Sequence, residues 1–240
     1  MNGLEYALSG MVILLASFVQ GLTGFGFSLL AVPLLTIVIG VKNAVTLGVI
    51  CGICVTFYNF WTLRRHFTFS SIRELILGSL VGIPVGSYFL RETHSDVVRD
   101  LLGLVIIAFV LFSLLNVPRV RVFNRLWGYF FGLAAGLCGG AVSISGPPIL
   151  IYSYIKDWNK EEFKGTIAAY FFVTGLLIFA SHLLTGSTNS TTLLKFMALS
   201  PFLVIGAFTG HYFFNSIDGT MFRQIILGIL GVLGISMLLL

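Results

Sequence analysis

The sequence predicts an all-α, polytopic membrane protein built from two homologous repeats. Three observations predict it: charged residues are few, ten apolar segments alternate with short polar loops, and a glycine-rich motif followed by proline occurs twice. We place the first transmembrane repeat at residues 1–116 and the second at residues 117–240. Each repeat is predicted to contain three full spans and a pair of short helices broken at the glycine-rich motif, and the two repeats are predicted to be inverted.

The composition indicates that most of the protein's surface faces lipid. Hydrophobic residues make up 57% of the chain and charged residues 10%, with a mean hydropathy of +1.01. A soluble domain carries about 25% charged residues, so this chain lacks the polar residues that a water-facing surface needs. The net charge of +5 comes from loop residues, which set membrane topology and do not indicate nucleic-acid binding. No Lys or Arg precedes the first apolar segment, which favours a retained segment over a cleaved signal peptide.

Six of the apolar segments are long enough to cross a bilayer, which takes about 20 residues. They are 44–63, 72–90, 98–115, 164–184, 195–214 and 221–240. The other four segments are short and form two pairs, 5–20 with 25–40 and 122–138 with 141–155. An uncharged, glycine-rich stretch joins each pair, and we expect the helix to break there.

The two glycine-rich stretches belong to a longer repeat. Residues 21–35 read GLTGFGFSLLAVPLL and residues 136–150 read GLCGGAVSISGPPIL. An offset of 115 aligns glycine, serine and proline in the same order, which unrelated apolar segments rarely show. Further along, Gly82 and Gly86 align with Gly206 and Gly210.

Loop charges predict the orientation of the spans. The loop 64–74 contains Arg64, Arg65 and Arg73, and the loop 116–125 contains three arginines and no acidic residue. Both loops are expected on the cytoplasmic side. If each short pair enters and returns on one side or crosses twice, each half has an odd number of crossings and the halves are inverted. A single broken span per pair would instead make the halves parallel.

The two breaks predict a binding site. Unwound backbone at membrane depth is tolerated only where it is buried in protein or lines a wet cavity, and paired discontinuous helices indicate a transporter's binding site. The second short helix of each pair begins at the break, so its free N–H groups and partial positive charge would point to the membrane centre. Two such helix ends form an anion site that needs no Lys or Arg.

Hydroxyl, thiol and glycine residues near the breaks, together with a pair of aligned threonines, are the candidate substrate-binding residues. They are Thr23, Gly24, Ser28, Thr46, Cys138, Gly139, Gly140, Ser143, Ser145 and Thr166. Hydroxyl groups can donate to an oxyanion, although within a helix they also bond to the preceding turn. Glycines would bring backbone N–H groups close to a ligand because they have no Cβ. Gln20, directly before the first break, is a weaker candidate.

Other polar features point to packing and topology. The pair Pro147-Pro148 is expected to kink or interrupt its short helix. Cys51 and Cys54 form a CxxC that we interpret as two small residues one helical turn apart. The four histidines do not cluster, and no Asp or Glu lies deep in an apolar segment. We therefore predict no catalytic site, no metal site and no cofactor.

Both motifs resemble those of the TauE/SafE family. The shared pattern appears as Gly24-Phe25-Gly26 with Pro33 and Ala44-Val45-Thr46, and again as Gly139-Gly140-Ala141 with Pro148 and Thr166. The resemblance covers nearly the whole chain. It implies a membrane transporter of sulfite, organosulfonates or related small organic anions.

These observations together predict a secondary transporter that moves a small anion, sulfur-containing or organic, across the cell (cytoplasmic) membrane. An anion channel using the same helix ends is the alternative, and trans-stimulation with saturation at low flux would identify the transporter. Coupling to a proton or sodium ion, and assembly into a homo-oligomer, are both compatible with the sequence.

Overall fold

The computed structural model describes residues 2–63, 72–115, 124–156, 160–213 and 219–239. Within these ranges the chain forms ten helices and no strands, so the all-α prediction is confirmed for them. The helices are α1 (Gly3–Thr23), α2 (Phe27–Ile39), α3 (Val41–Leu63), α4 (Arg73–Glu92), α5 (Ser95–Leu114), α6 (Arg125–Val142), α7 (Gly146–Lys156), α8 (Lys160–Leu184), α9 (Ser190–Tyr212) and α10 (Gly219–Leu239).

Six helices are long and apolar enough to cross a membrane: α1, α3, α4, α5, α8 and α9, judged over the described residues. Their outward faces carry large apolar side chains, among them Val81 on α4 and Val204 on α9, which are 63% and 60% exposed. A surface of this kind is stable in contact with lipid and not with water. The prediction of a polytopic membrane protein is therefore confirmed.

Two of the four segments predicted to be short are longer than expected. The predicted segments 5–20 and 122–138 correspond to α1, with 21 residues, and α6, with 18 residues. Only α2, with 13 residues, and α7, with 11 residues, are short as predicted. Each half therefore contains one short helix and four longer ones.

The helix interruptions are also smaller than predicted, and the second one lies elsewhere. They occupy residues 24–26 and 143–145, whereas the stretch 136–141 is helical. The prediction of a break at 136–141 was wrong because its glycines serve helix packing. A Cβ at Gly136 or Gly140 would lie within 2.8 Å of the Ser79 or Ile83 carbonyl oxygen on α4, so only glycine lets these helices approach so closely.

The proline pair begins α7 and does not interrupt it, contrary to the prediction. Gly146 is the first residue of the helix, and Pro147 and Pro148 follow it directly. The N–H groups of the first turn have no acceptor within a helix. Proline at these positions therefore costs no hydrogen bond, and its fixed φ suits the helix.

The helices pack in pairs, and this set of pairs stays the same when each helix is replaced by its counterpart in the other half. Helix α1 packs along α9 and α6 packs along α4, while α3 packs on α8 and α5 packs on α10. Replacing each helix by its counterpart in the other half (α1 by α6, α4 by α9, and so on) reproduces the same set of pairs. The two halves thus have the same internal plan, as the repeat predicts.

Close contacts of glycines show which residues of the two halves are equivalent. A Cβ added to Gly82 would collide with the Leu133 carbonyl, and one added to Gly206 would collide with the Leu14 carbonyl. Because Gly82 and Gly206 are aligned, Leu14 corresponds to Leu133, an offset of 119 residues. The predicted offset of 115 is therefore wrong in α1 and α6 by four residues, about one helical turn.

Equivalent helices that touch run antiparallel. Phe57, late in α3, packs on Phe172, at the middle of α8, with ring centroids 5.3 Å apart, whereas the earlier Ile53 lies against the later Gly175. In the same way α5 and α10 approach each other at Gly103 with Leu238 and at Val110 with Gly231. A two-fold axis relating the halves would run across these helices. Inverted halves require such contacts, and inversion across the membrane stays a prediction.

Most of the charged residues used to predict topology lie outside the described residues. These are Arg64, Arg65, Arg119 and Arg121, and the predicted boundary between residues 116 and 117 lies outside them too. The orientation of the spans and the division into two repeats at this boundary therefore stay predictions.

Candidate functional site

A cavity of about 70 Å³ lies where the two short helices begin. The first turn of α2, the linker before α7 and the facing sides of α3 and α8 line it. A cavity needs roughly 10–15 Å³ of such volume to hold a single water molecule, so this one has room for a small polyatomic ion. The starts of α2 and α7 therefore meet at one cavity, and substrate binding there stays a prediction.

Gln20, near the end of α1, holds the start of α2 in place. Its Oε1 accepts a hydrogen bond from the Phe27 N–H at 2.9 Å, which satisfies one of the free donors of the helix start. Because the oxygen is the acceptor, the orientation of the amide is defined. Gln20 lines the cavity and is 3% exposed, and its Nε2 has no hydrogen-bond partner among the described residues. A buried donor without a partner is costly, so Nε2 would be stabilised by a hydrogen-bond acceptor.

Two serines from opposite halves meet at the cavity. The Ser28 Oγ lies 3.3 Å from the Ser143 Oγ, and either hydroxyl can be the donor. One hydroxyl proton of this pair stays available, because a single hydrogen bond uses only one of the two. Ser145 also lines the cavity and is 8% exposed. Three of the predicted residues, Ser28, Ser143 and Ser145, are thus brought together.

The two helix starts offer different numbers of backbone donors. In α2 the Ser28 and Leu29 N–H groups belong to the first turn and have no acceptor within the helix. In α7 the second and third residues are Pro147 and Pro148, which have no N–H group, so Gly146 is the only donor among the first three helical residues. The α2 start is therefore the richer in hydrogen-bond donors.

Two of the predicted threonines, Thr23 and Thr46, bond to the backbone. Thr23 donates to the Val19 carbonyl at 2.9 Å and lies 2.5 Å from the Phe25 carbonyl, so it closes the end of α1. Thr46 donates to the Lys42 carbonyl at 3.1 Å. Neither lines the cavity, and the same holds for Gly24, Cys138, Gly140 and Thr166. Substrate binding by these residues stays a prediction.

Gly139 lies directly behind the lining. A Cβ at this position would collide with the Ser145 Oγ and would lie 2.8 Å from the Ile178 Cδ1, and both of those residues line the cavity. Gly140, by contrast, faces the Ile83 carbonyl on α4 and serves packing. Two neighbouring glycines of one motif thus have different roles.

Sequence reasoning missed the wall formed by α3 and α8. Gly48 and Gly52 on α3, and Gly175 on α8, line the cavity, and Gly52 has the Ser28 Oγ as its nearest neighbour, 3.8 Å from an added Cβ. The four-residue spacing of Gly48 and Gly52 is a close-packing signal in membrane helices and could have identified them. Thr56 and Thr174 line the cavity as well, but each donates to a carbonyl of its own helix at 2.7 Å.

The site is electrically neutral apart from its helix ends. Among the described residues, those that line the cavity include no Lys, Arg, His, Asp or Glu. No group of three or more His, Cys, Asp or Glu side chains that could hold a metal occurs within the described ranges. Hydrogen-bond donors and helix starts are the groups through which this cavity could recognise a ligand, and both favour a negative charge.

Comparison with known proteins gives the chain a family. The profile of the family described as sulfite exporter TauE/SafE matches residues 9–237. The probable sulfite/organosulfonate exporter TauE of Cupriavidus necator is 23% identical over 242 aligned positions, covering 97% of this chain and 94% of the relative. No solved structure matches the chain. The chain belongs to the TauE/SafE sulfite exporter family, and it is therefore a multi-pass transporter of the cell membrane and not an enzyme.

Proposed function

We propose that this transporter carries a small anion, sulfite or an organosulfonate, and binds it in the cavity between the starts of α2 and α7. The observation that carries the proposal is the meeting of both helix starts at one uncharged cavity, where the Ser28 and Ser143 hydroxyls lie 3.3 Å apart. The relative from Cupriavidus necator is named for sulfite and organosulfonate export, which supports this class of cargo.

Helix starts and neutral donors suit an anion that must be released again. Each helix start carries roughly half a positive charge, worth about 0.3–1 kcal/mol near an anion and up to about 2 kcal/mol in partly buried sites. A Lys or Arg in the cavity would hold the anion more tightly, and none lines it among the described residues. Moderate binding by dipoles and hydroxyls favours turnover over retention.

Inverted halves are part of the proposal. The antiparallel contacts of α3 with α8 and of α5 with α10 support them. In inverted-repeat transporters the site lies between the repeats, and rocking of one unit against the other exposes it to each side in turn. The two helix starts would then reach the anion from opposite sides of the membrane.

Flux measurements on the purified, reconstituted protein test the proposal. Proteoliposomes loaded with sulfite should take up labelled sulfite faster than empty ones, and initial rates should saturate. Such trans-stimulation is expected of a transporter and not of the channel alternative. Imposed proton and sodium gradients would show which ion, if either, drives the anion. Uptake no faster than in protein-free liposomes, by folded protein and for both sulfite and methanesulfonate, would contradict the proposal.

A further inference from the structure

We propose that the Gln20 carboxamide is a ligand of the transported anion, with Nε2 as the donor, and that the site selects oxyanions that carry no ammonium group. The inference rests on the proposed function and deepens it. It assigns a side-chain donor of the cavity to a residue of α1, outside the two serine-containing segments.

The first step is the unused donor. The Gln20 side chain is 3% exposed, lines the cavity and leaves Nε2 without a hydrogen-bond partner among the described residues. Its orientation is set by the 2.9 Å bond from the Phe27 N–H to Oε1. The donor is thus buried and held in place beside the first turn of α2. A negative oxygen in the cavity would satisfy it together with the free N–H groups of that turn.

The second step is the asymmetry between the halves. With the structural offset of 119 residues, the position equivalent to Gln20 in α6 is Gly139. Gly139 has no side chain, and the Ser145 hydroxyl lies in the space that its Cβ would fill. Gln20 lines the cavity on one side and Ser145 on the other. The anion should therefore bind closer to α2, whose first turn and neighbouring Gln20 offer more unpartnered N–H donors.

The third step concerns the class of ligand. The described residues around the cavity contain no Asp or Glu, so an ammonium group on the ligand would lose its water without gaining a carboxylate. Burying an unpaired charge is expensive. The site should accept compact oxyanions such as sulfite and methanesulfonate and reject a zwitterion of similar size.

Two substitutions separate ligand binding from the structural role of Gln20. Gln20→Glu keeps an oxygen that can accept from the Phe27 N–H but replaces the donor by a second, negative oxygen. Gln20→Leu removes both functions. Asn59→Asp is the matched control, since Asn59 is 5% exposed, also has a buried amide nitrogen without a partner among the described residues, and does not line the cavity.

Sulfite affinity is measured on monodisperse protein by isothermal titration, and sulfite uptake per folded molecule is measured in proteoliposomes. We expect Gln20→Glu to raise the Kd for sulfite at least as much as Gln20→Leu, by about 10- to 150-fold, as for a lost hydrogen bond to a charged group. Asn59→Asp should change it less than about threefold. Parental affinity in Gln20→Glu would overturn the proposal, because it would show that only the bond to Phe27 matters.

The parental protein provides a test that needs no substitution. Methanesulfonate should compete with sulfite for binding, and aminomethanesulfonate, which differs by one ammonium group, should compete at least about 10-fold less well. Equal competition would overturn the proposed selectivity even if no Gln20 variant folds. If the parental protein transports sulfite and the Gln20→Glu variant binds it normally, only the role of Gln20 is refuted. If the folded parental protein neither binds nor transports any of these anions, the proposed function is refuted.

Discussion

The two helix interruptions of this transporter occupy equivalent places and are built from different residues. Between α1 and α2 the turn contains Gly24 and Gly26, with φ of 83° and 99°, and the Gln20 and Thr23 side chains hold it. Between α6 and α7 the turn begins at Ser143, with φ of 60°, and the helix that follows starts with two prolines. The first turn relies on glycines and side-chain hydrogen bonds, the second on proline and hydroxyls.

This difference shows what the repeat preserves. Helix α1 packs on α9 as α6 packs on α4, and part of the glycine contacts with backbone carbonyls recur at equivalent positions: Gly21, Gly206 and Gly210 in one pair, Gly140, Gly82 and Gly86 in the other. The residues at the turns have diverged, so that one half supplies the carboxamide and more free N–H groups and the other supplies Ser143 and Ser145. A symmetric backbone therefore surrounds an asymmetric cavity.

The largest effect should come from the packing glycines, and it should be equal in the two halves. Gly21 and Gly140 are equivalent, and a Cβ on either would lie 2.5–2.6 Å from a carbonyl oxygen of the partner helix. Gly21→Val and Gly140→Val should each cost more than about 3 kcal/mol of folding free energy and abolish monodisperse protein in size-exclusion chromatography. A folded but inactive Gly140→Val would contradict this and return Gly140 to the binding site.

The next largest effect should be functional and confined to one half. Gly139→Val pushes a branched side chain toward Ser145 and Ile178, behind the cavity lining. We expect folded protein whose sulfite transport per molecule falls by more than about 10-fold, the loss expected when a hydrogen bond to a charged group is removed. Gly228→Val is the control, since Gly228 is helical with nothing within 4 Å of an added Cβ. Parental rate and affinity in folded Gly139→Val would show that the site lies elsewhere.

A smaller pair of effects separates the conformation of the turns from their chemistry. Ser143 has a left-handed backbone that costs a non-glycine residue roughly 1–2 kcal/mol, so Ser143→Gly should raise the thermal midpoint and weaken sulfite binding by about 10-fold. Gly24→Ala should instead lower the thermal midpoint and leave the sulfite affinity unchanged, since Gly24 does not line the cavity. Thermal unfolding and titration on the same samples check both. If the thermal midpoint and the sulfite affinity changed in the same direction in both variants, the conformation of the turns would not be separable from their chemistry.

The sequence predicted much of the fold because its signals are local. Apolar segment length defined most of the spans, and glycine and proline marked the neighbourhood of both interruptions, which was enough to find Ser28, Ser143 and Ser145. It did not predict the register of the repeat. A glycine that packs on a neighbouring helix and a glycine that breaks a helix look alike in a sequence, and the deciding contact for Gly140, the Ile83 carbonyl, lies on a distant segment. The role of Gln20 likewise depends on Phe27, across the break.

The smallest effects should come from the threonines, and they set the boundary of the site. Thr23 and Thr46 donate to carbonyls of their own helices at 2.9 and 3.1 Å and do not line the cavity. Replacement by valine keeps the shape and removes the local hydrogen bonds of the hydroxyl, each worth about 0.5–1.5 kcal/mol of stability. Thr23→Val and Thr46→Val should therefore lower the thermal midpoint slightly and leave the sulfite Kd within about twofold of the parental value, because no bond to the anion is lost. Ser145→Ala, measured alongside, should raise the Kd by about 10-fold or more, since Ser145 lines the cavity. If Thr23→Val weakened binding as strongly as Ser145→Ala, the site would extend to the end of α1, and the two turns would be more alike in function than their contacts indicate.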